Sequence, residues 1–296
     1  MTRVHLKNTT IPELDTIQRR PVEQAILMVE PTHYDVLYEI NPHMAGMIGT
    51  VDKELAKQQW THLTEVYRQI GLDLKIMPGV EGLPDMVFCA NQTFPFLDST
   101  GRRRVILSKM ASPYRVDEVP YFAEWYEKQG YDVIEQTDPA VDFEGMGDAI
   151  WHPNKQLLYI GYGFRTQAPA LQRAADCIGC DVVGLELVNP HFYHLDTCLC
   201  VLNEQTAIFV REAFTEEGIT ILMRTFQNLI EVPLHEAKEG FVTNGFCPDG
   251  QHFVVQQGNK VTKHRLESDG FTVVEVDTSE FMKSGGSVFC MKMYLP

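Results

Sequence analysis

The chain has 296 residues, 44% of them hydrophobic and 22% charged, enough to bury a real core in one or two domains. Its net charge of −15 argues against nucleic acid or an anionic membrane as the main partner and favours a small cation. No uncharged apolar run approaches the ~20 residues that span a bilayer, and the first 20 residues lack the apolar core of a secretory signal. The seven cysteines are odd in number and sparse, which suits free thiols in a reducing, cytoplasmic compartment.

In chain order, residues 1–22 read as an N-terminal arm, either a contact between subunits of a homo-oligomer or a disordered tail. Residues 23–296 read as a single domain, because no Pro-, Gly- or Ser-rich linker divides them. A strand, "QAILMVEPT", opens this domain. Five amphipathic helices, each running into a β-rich strand, follow as a weak internal repeat. They are "WTHLTEVYRQIGLDLKIMP", "YFAEWYEKQGYDVIEQT", "PALQRAADCIGCDVVGLEL", "TILMRTFQNLIEVPL" and "NKVTKHRLESDGFTVVEVD". Gly71, Gly130, Gly179 and Gly270 fall at the helix ends, where a left-handed cap suits glycine. Asn228 is the expected left-handed residue of the fourth unit. Each strand is followed by a hairpin pattern, such as "GDAIWHPNKQLLYIGYG".

Five such α/β units cannot each bury a core alone and must pack together. A ring of five, an α/β propeller with pseudo-fivefold symmetry, is the natural closed arrangement. The final unit has one hairpin strand, "SVFCMKMYL", and the N-terminal strand over residues 23–31 would complete it.

One position recurs at the start of the hairpins: Asn91, Glu144, His194, Asn244 and Cys290. In a ring these would meet at one end of the axis, bringing a thiol, an imidazole, a carboxylate and two amides together. That is a nucleophile, a base and an orienting group, as covalent catalysis requires. In "DFEGMGDAI", Gly145 and Gly147 allow close backbone approach to a ligand beside Glu144 and Asp148. In "HFYHLDTCLCV", His194 and Asp196 would share one face of a strand. Gly285 and Gly286 would relieve crowding before Cys290. Arg165, in "GYGFRTQAP", stands between a strand end and a helix start, placed to clamp a carboxylate.

Taken singly, each residue has a structural reading as well. Cys290 is a small apolar side chain, and Glu144 and Asp148 suit a turn and a helix cap. Their shared place in the repeat favours catalysis. Cys177 and Cys180 have zinc spacing but no second ligand pair, and His191 and His194 would face opposite sides of a strand, so no metal is expected. "GMGD" lacks the third glycine of a dinucleotide fingerprint, and no cofactor is expected.

These motifs resemble the guanidino-group-modifying superfamily, the penteins, which includes arginine deiminases, dimethylarginine dimethylaminohydrolases, amidinotransferases and arginine dihydrolases. "FEGMGD", "HLD" and "GSVFCM" carry the resemblance, which runs from about Ile26 to the end. It implies a five-bladed β/α propeller and a small cationic guanidino substrate, with no cofactor. It makes Cys290 the nucleophile and His194 the acid/base, with Glu144 and Asp196 on the guanidinium and Arg165 on the substrate carboxylate. Asn91 in "CANQT" and Asn41 in "INPHM" are similar to stretches of arginine dihydrolases, which take arginine past bound citrulline to ornithine, ammonia and carbon dioxide. An amide donates as well as accepts, so Asn91 could hold a ureido oxygen that a carboxylate would repel. "CANQTF" and "FEGMGD" depart from the usual patterns. This leaves deimination to citrulline, hydrolysis of a methylated arginine, amidino transfer and a non-catalytic binding role as the alternatives.

Overall fold

A computed structural model describes residues 3–6, 13–21, 25–135 and 140–296. It begins with the short strand β1 (Val4–His5) and then β2 (Ala25–Val29). Helix α1 (Lys53–Ile70) starts where the Asp52 side chain accepts the N–H of Leu55, and stops at Gly71, left-handed at φ 99°. Local chemistry sets both ends: a carboxylate satisfies an orphan N–H, and glycine takes that φ without strain. Strand β3 (Asp73–Met77) follows directly.

The order then repeats. Hairpin β4 (Thr93–Leu97) and β5 (Arg103–Leu107) leads through α2 (Val119–Lys128) to β6 (Asp132–Ile134). After the short helix α3 (Gly145–Asp148), strands β7 (Ala149–Trp151) and β8 (Leu157–Tyr162) lead through α4 (Pro169–Ile178) to β9 (Asp181–Glu186). Strands β10 (Leu199–Val201) and β11 (Thr206–Phe209) lead through α5 (Glu216–Thr225) to β12 (Asn228–Glu231). Then come α6 (Leu234–Gly240), β13 (His252–Gln256), α7 (Lys260–Ser268) and β14 (Thr272–Val276). Helix α8 (Ser279–Met282) and strand β15 (Met293–Leu295) close the chain.

The strands form five sheets of mixed sense. In each sheet the strand before the crossover helix is parallel to the strand after it, as such a connection requires: β2 with β3, β5 with β6, β8 with β9, β11 with β12 and β13 with β14. An antiparallel partner lies on the other side: β4, β7 and β10 for three of them, and a single bridge from Phe246 to Val254 for the fourth. The fifth sheet joins distant parts of the chain. There β15 runs antiparallel to β2, with Met293 opposite Leu27, so the N-terminal strand completes the final hairpin as expected. Residues 23 and 24 of that expected strand lie outside the described residues.

One expectation needs correction. Asn228 is not a left-handed cap; it is already the first residue of β12, and α5 ends on Phe226 in extended conformation. Phe226 is buried against His152 and Tyr159, and that packing draws the chain straight into the strand. The described parts of residues 1–22 pack on the rest of the chain. Strand β1 pairs in parallel with β9, and Arg20 stacks on Trp151 with its guanidinium carbon 4.3 Å from the ring centre.

One continuous apolar cluster, from Ile26 to Leu295, joins all five sheets. Tyr67 on α1 reaches from it to donate to the carbonyl of Val288, steadying the turn before Cys290. No helix among the described residues is long and apolar enough to cross a membrane.

Candidate active site

The five recurring residues occupy equivalent turns. Asn91 precedes β4, Glu144 caps α3 ahead of β7, and His194 opens a 3-10 turn (Leu195–Thr197) ahead of β10. Asn244 ends another 3-10 turn (Val242–Asn244), and Cys290 lies in the turn before β15. All five are buried. His194 and Asp196 are therefore not on a strand as expected. The pairing of β10 starts only at Leu199, and Asp148 accepts the N–H of Leu195, which holds the segment as a turn.

The glycines of these motifs serve the approach of one turn to another. A Cβ on Gly147 would lie 2.1 Å from Nδ2 of Asn91, so the Glu144 turn can pack on the Asn91 turn only with glycine there. Gly285 has φ 83°, and a Cβ on it would lie 2.7 Å from both Oδ1 of Asn41 and the Tyr193 hydroxyl.

Two hydrogen-bonded groups face each other across the site. In one, the Cys290 thiol donates to Oδ2 of Asp196 at 3.0 Å, while Nδ2 of Asn244 reaches Sγ at 3.2 Å. Oδ1 of Asn244 accepts the N–H of Ser287 at 2.9 Å, fixing the turn that bears Cys290. In the other, Nε2 of His194 meets Oε2 of Glu144 at 2.6 Å, and Oε1 of Glu144 accepts the N–H of Ala111. Cys290 and His194 line the same narrow cavity, together with Asn41, Asn91, Arg165, Tyr193 and Arg115.

Burial acts on every charge here, and the neighbours decide the outcome. It pushes Glu144 up, but the bond and charge of His194, with Arg165 and Arg115, bring its carboxyl down to about 2. Asp196 and Asp148 are each raised by burial to about 7, against the opposing pull of Cys290 on the first and His194 on the second. Burial, then the charge of Asp196, push the Cys290 thiol well above its ordinary value. An arriving cation between Asp196 and Cys290 would reverse that last effect.

The expected substrate groups divide. Asn41, Asn91 and Arg165 are on the cavity wall; Asp148, Asp196 and Asn244 are not. Asp148 braces the His194 turn, and Asn244 holds Cys290 and donates to the carbonyl of Asp196 at 3.0 Å. Oδ1 of Asp196 is buried without a hydrogen bond. Arg165 donates to the carbonyl of Ile40 at 2.8 Å, lies 3.5 Å from Glu144, and stacks over Tyr193. Asn41 donates to the carbonyl of Ser284.

Arg115 and Asp85 are wall residues that the sequence reading passed over. Arg115 is 4% exposed, pairs with Glu118 at 2.9 Å, and donates to Oδ1 of Asn91 at 2.8 Å. A guanidinium only donates, so it turns the Asn91 carbonyl oxygen toward itself and leaves Nδ2 without a partner. The spacing of Arg115 and Glu118, three apart in "SPYRVDE", was the available signal. Among the described residues no group of three or more His, Cys, Asp or Glu is placed to hold a metal ion.

The chain is similar to known guanidino-modifying enzymes. Residues 43–295 match the family model for N,N dimethylarginine dimethylhydrolase, eukaryotic. The N(G),N(G)-dimethylarginine dimethylaminohydrolase of Mycobacterium tuberculosis is 35% identical over 274 residues, covering 92% of this chain and 86% of that protein. The bifunctional arginine dihydrolase/ornithine cyclodeaminase ArgZ of Synechocystis is 32% identical over 269 residues. That match covers 90% of this chain, which spans 37% of the length of ArgZ. The solved N-terminal domain of cyanobacterial ArgZ, an arginine dihydrolase with substrate bound, superposes with a TM-score of 0.86 at 31% identity, covering 91% of this chain and 97% of that domain. The dimethylarginine dimethylaminohydrolase of Pseudomonas aeruginosa, complexed with citrulline, shares the fold with a TM-score of 0.76 at 20% identity, covering 92% and 99%.

Proposed function

The chain belongs to the N,N-dimethylarginine dimethylhydrolase family of guanidino-modifying enzymes, and from that premise we propose that it hydrolyses the guanidino group of arginine or a close analogue through Cys290. One observation carries the reading: a thiol held by Asp196 and Asn244 shares a cavity with a histidine held by a carboxylate. The five sheets are read as the blades of a propeller, with the five equivalent turns gathered at one end of its axis. Residues 23–296 then form one catalytic domain. Its free cysteines suit the cytoplasm.

The guanidinium sits between Asp196 and Glu144, which a planar cation engages in pairs. Its charge favours the Cys290 thiolate, and His194 takes the thiol proton. Sγ attacks the guanidinium carbon, forming a C–S bond. The tetrahedral adduct breaks a C–N bond, and His194 returns the proton to the departing ammonia. His194 then takes a proton from water, the hydroxide attacks the thiouronium carbon, and the C–S bond breaks to give citrulline. Arg165 holds the substrate carboxylate. Nδ2 of Asn91 donates to the ureido oxygen and keeps citrulline in place. A second round expels a second ammonia and leaves a carbamate, which loses carbon dioxide to give ornithine.

A second reading, hydrolysis of dimethylarginine to citrulline and dimethylamine, has the family match in its favour and uses the same residues. Incubation with arginine or dimethylarginine, followed by amino-acid and amine analysis, separates the two. Ornithine from arginine is the expected result. Cys290→Ala should reduce turnover to the uncatalysed level; a variant that kept it would exclude the mechanism.

A further inference from the structure

Two residues beyond Cys290, in the apolar run "CMKMYL", stands a lysine that the mechanism above leaves unused. Lys292 is completely buried, and so are Met291 and Met293 on either side of it. A buried ammonium ordinarily meets a carboxylate. Among the described residues none is in ion-pair contact with this one. Its Nζ lies 3.2 Å from the ring centre of Phe289, 4.5 Å from that of Tyr294 and 4.7 Å from that of Phe246. The sulfur of Met146, on α3, completes the cage at 3.6 Å.

Three aromatic faces and a thioether attract a cation without cancelling its charge. An ion pair would confine the field of the lysine to its partner; this cage leaves it to act on the next shell. The ionisable groups that feel it are Asp196 from the His194 turn, Cys89 from the turn before Asn91, Cys200 from β10, and Cys290 itself. The phenol of Tyr294 also faces it. Cys89 and Cys200 are spent on backbone carbonyls, of Leu27 and Gly245. Asp196 and Cys290 are hydrogen-bonded to each other and belong to the reacting pair. The cavity wall includes Cys290 but not Lys292 or its cage, so the ammonium approaches the pair from the side away from the substrate.

We propose that Lys292 is a positioning residue for the nucleophile: its caged ammonium, behind Cys290 and Asp196, favours their ionised forms in the free enzyme. The inference deepens the role given to Cys290 and rests on that reading. Burial brings the amine down to about 7 against the pull of Asp196 and the three thiols, so the charge is present at and below neutral pH.

The test needs no substrate, so it stands apart from the choice of arginine or dimethylarginine. The pH dependence of Cys290 alkylation by iodoacetamide is followed on the Cys290 peptide by mass spectrometry, in the native protein and in Lys292→Met. Methionine keeps the volume of the side chain and removes the charge. Below neutral pH, where the native amine is charged, alkylation should slow about tenfold in Lys292→Met, and the two proteins should converge at higher pH, where the amine is neutral; the melting temperature should equal or exceed that of the native protein. An unchanged alkylation rate below neutral pH in a folded Lys292→Met overturns the proposal, whatever happens to turnover. Phe289→Leu removes the ring nearest the ammonium and lowers its hold on the proton. It should slow alkylation below neutral pH by less, and it decides the matter if Lys292→Met does not fold. Finding no alkylation of Cys290 in the native protein at any pH would instead refute its role as nucleophile.

Discussion

Arg115 and Lys292 are both buried cations beside the candidate site, and the protein accommodates them in opposite ways. Arg115 is wrapped in oxygen: Glu118, Oδ1 of Asn91 and the carbonyls of Asp85 and Phe88 take up its donors. Lys292 has rings and a sulfur. The first arrangement converts charge into direction, because a fork of donors sets which way Asn91 points. The second fixes the position of a charge and leaves its field uncancelled. A buried cation can thus orient a neighbour or ionise one, according to what surrounds it.

The largest expected effect is on the oxygen-lined side. Arg115→Met leaves the Glu118 carboxyl and the backbone carbonyl of Asp85 buried without their donor, and should cost about 3–5 kcal/mol in urea unfolding. Lys292→Met leaves no orphaned ion, and should be neutral or stabilising by about 1–2 kcal/mol in the same experiment. Equal losses in the two variants would erase the distinction between the sites.

Stability against pH sharpens it further. Burial, opposed by Arg115, raises Glu118 to about 7 in the folded chain. The folded state then holds this proton more tightly than the unfolded one, so stability falls as pH rises from about 4.5 to about 7. Lys292 is lowered to about 7 from an ordinary 10.5, so the unfolded state binds the extra proton and stability rises between those values. Glu118→Gln should flatten the first window and Lys292→Met the second, each leaving the other intact in unfolding curves across that range. Subtlest is a change of product: Asn91→Asp should let citrulline escape, seen as a rising citrulline-to-ornithine ratio. Ornithine as sole product would remove Asn91 as the determinant.

Much of this was legible in the sequence where the cause is local. Helix periodicity and the glycines at 71, 130, 179 and 270 mark the repeat, because a left-handed cap is a matter of one residue's backbone. The repeat in turn aligned Asn91, Glu144, His194, Asn244 and Cys290. Asn228 misled because the burial of Phe226, a tertiary contact, ended α5 first. His194 and Asp196 read as a strand because nothing nearby announces that Asp148, in a different unit, accepts the N–H of Leu195. Arg115 and Asp85 look like ordinary surface charges until Asn91 is brought beside them. Lys292 is harder still. Alternation in "CMKMYL" suggests a polar side chain facing water, and only the arrival of Phe246 and Met146 from distant units makes an interior for it.

The pairing of β15 with β2 has a consequence for how the molecule comes to exist. Strand β2 is synthesised long before its antiparallel partner β15, which follows the strands of the other four sheets. Until β15 arrives, one edge of β2 is an open template for other strands, a hazard that cells manage with chaperones. The turn bearing Cys290 directly precedes β15, so the thiol takes its place only with the contact that seals this sheet. A chain made only as far as β14 would hold Glu144 and His194 without the thiol that the proposed mechanism needs, and by that mechanism it would be chemically silent.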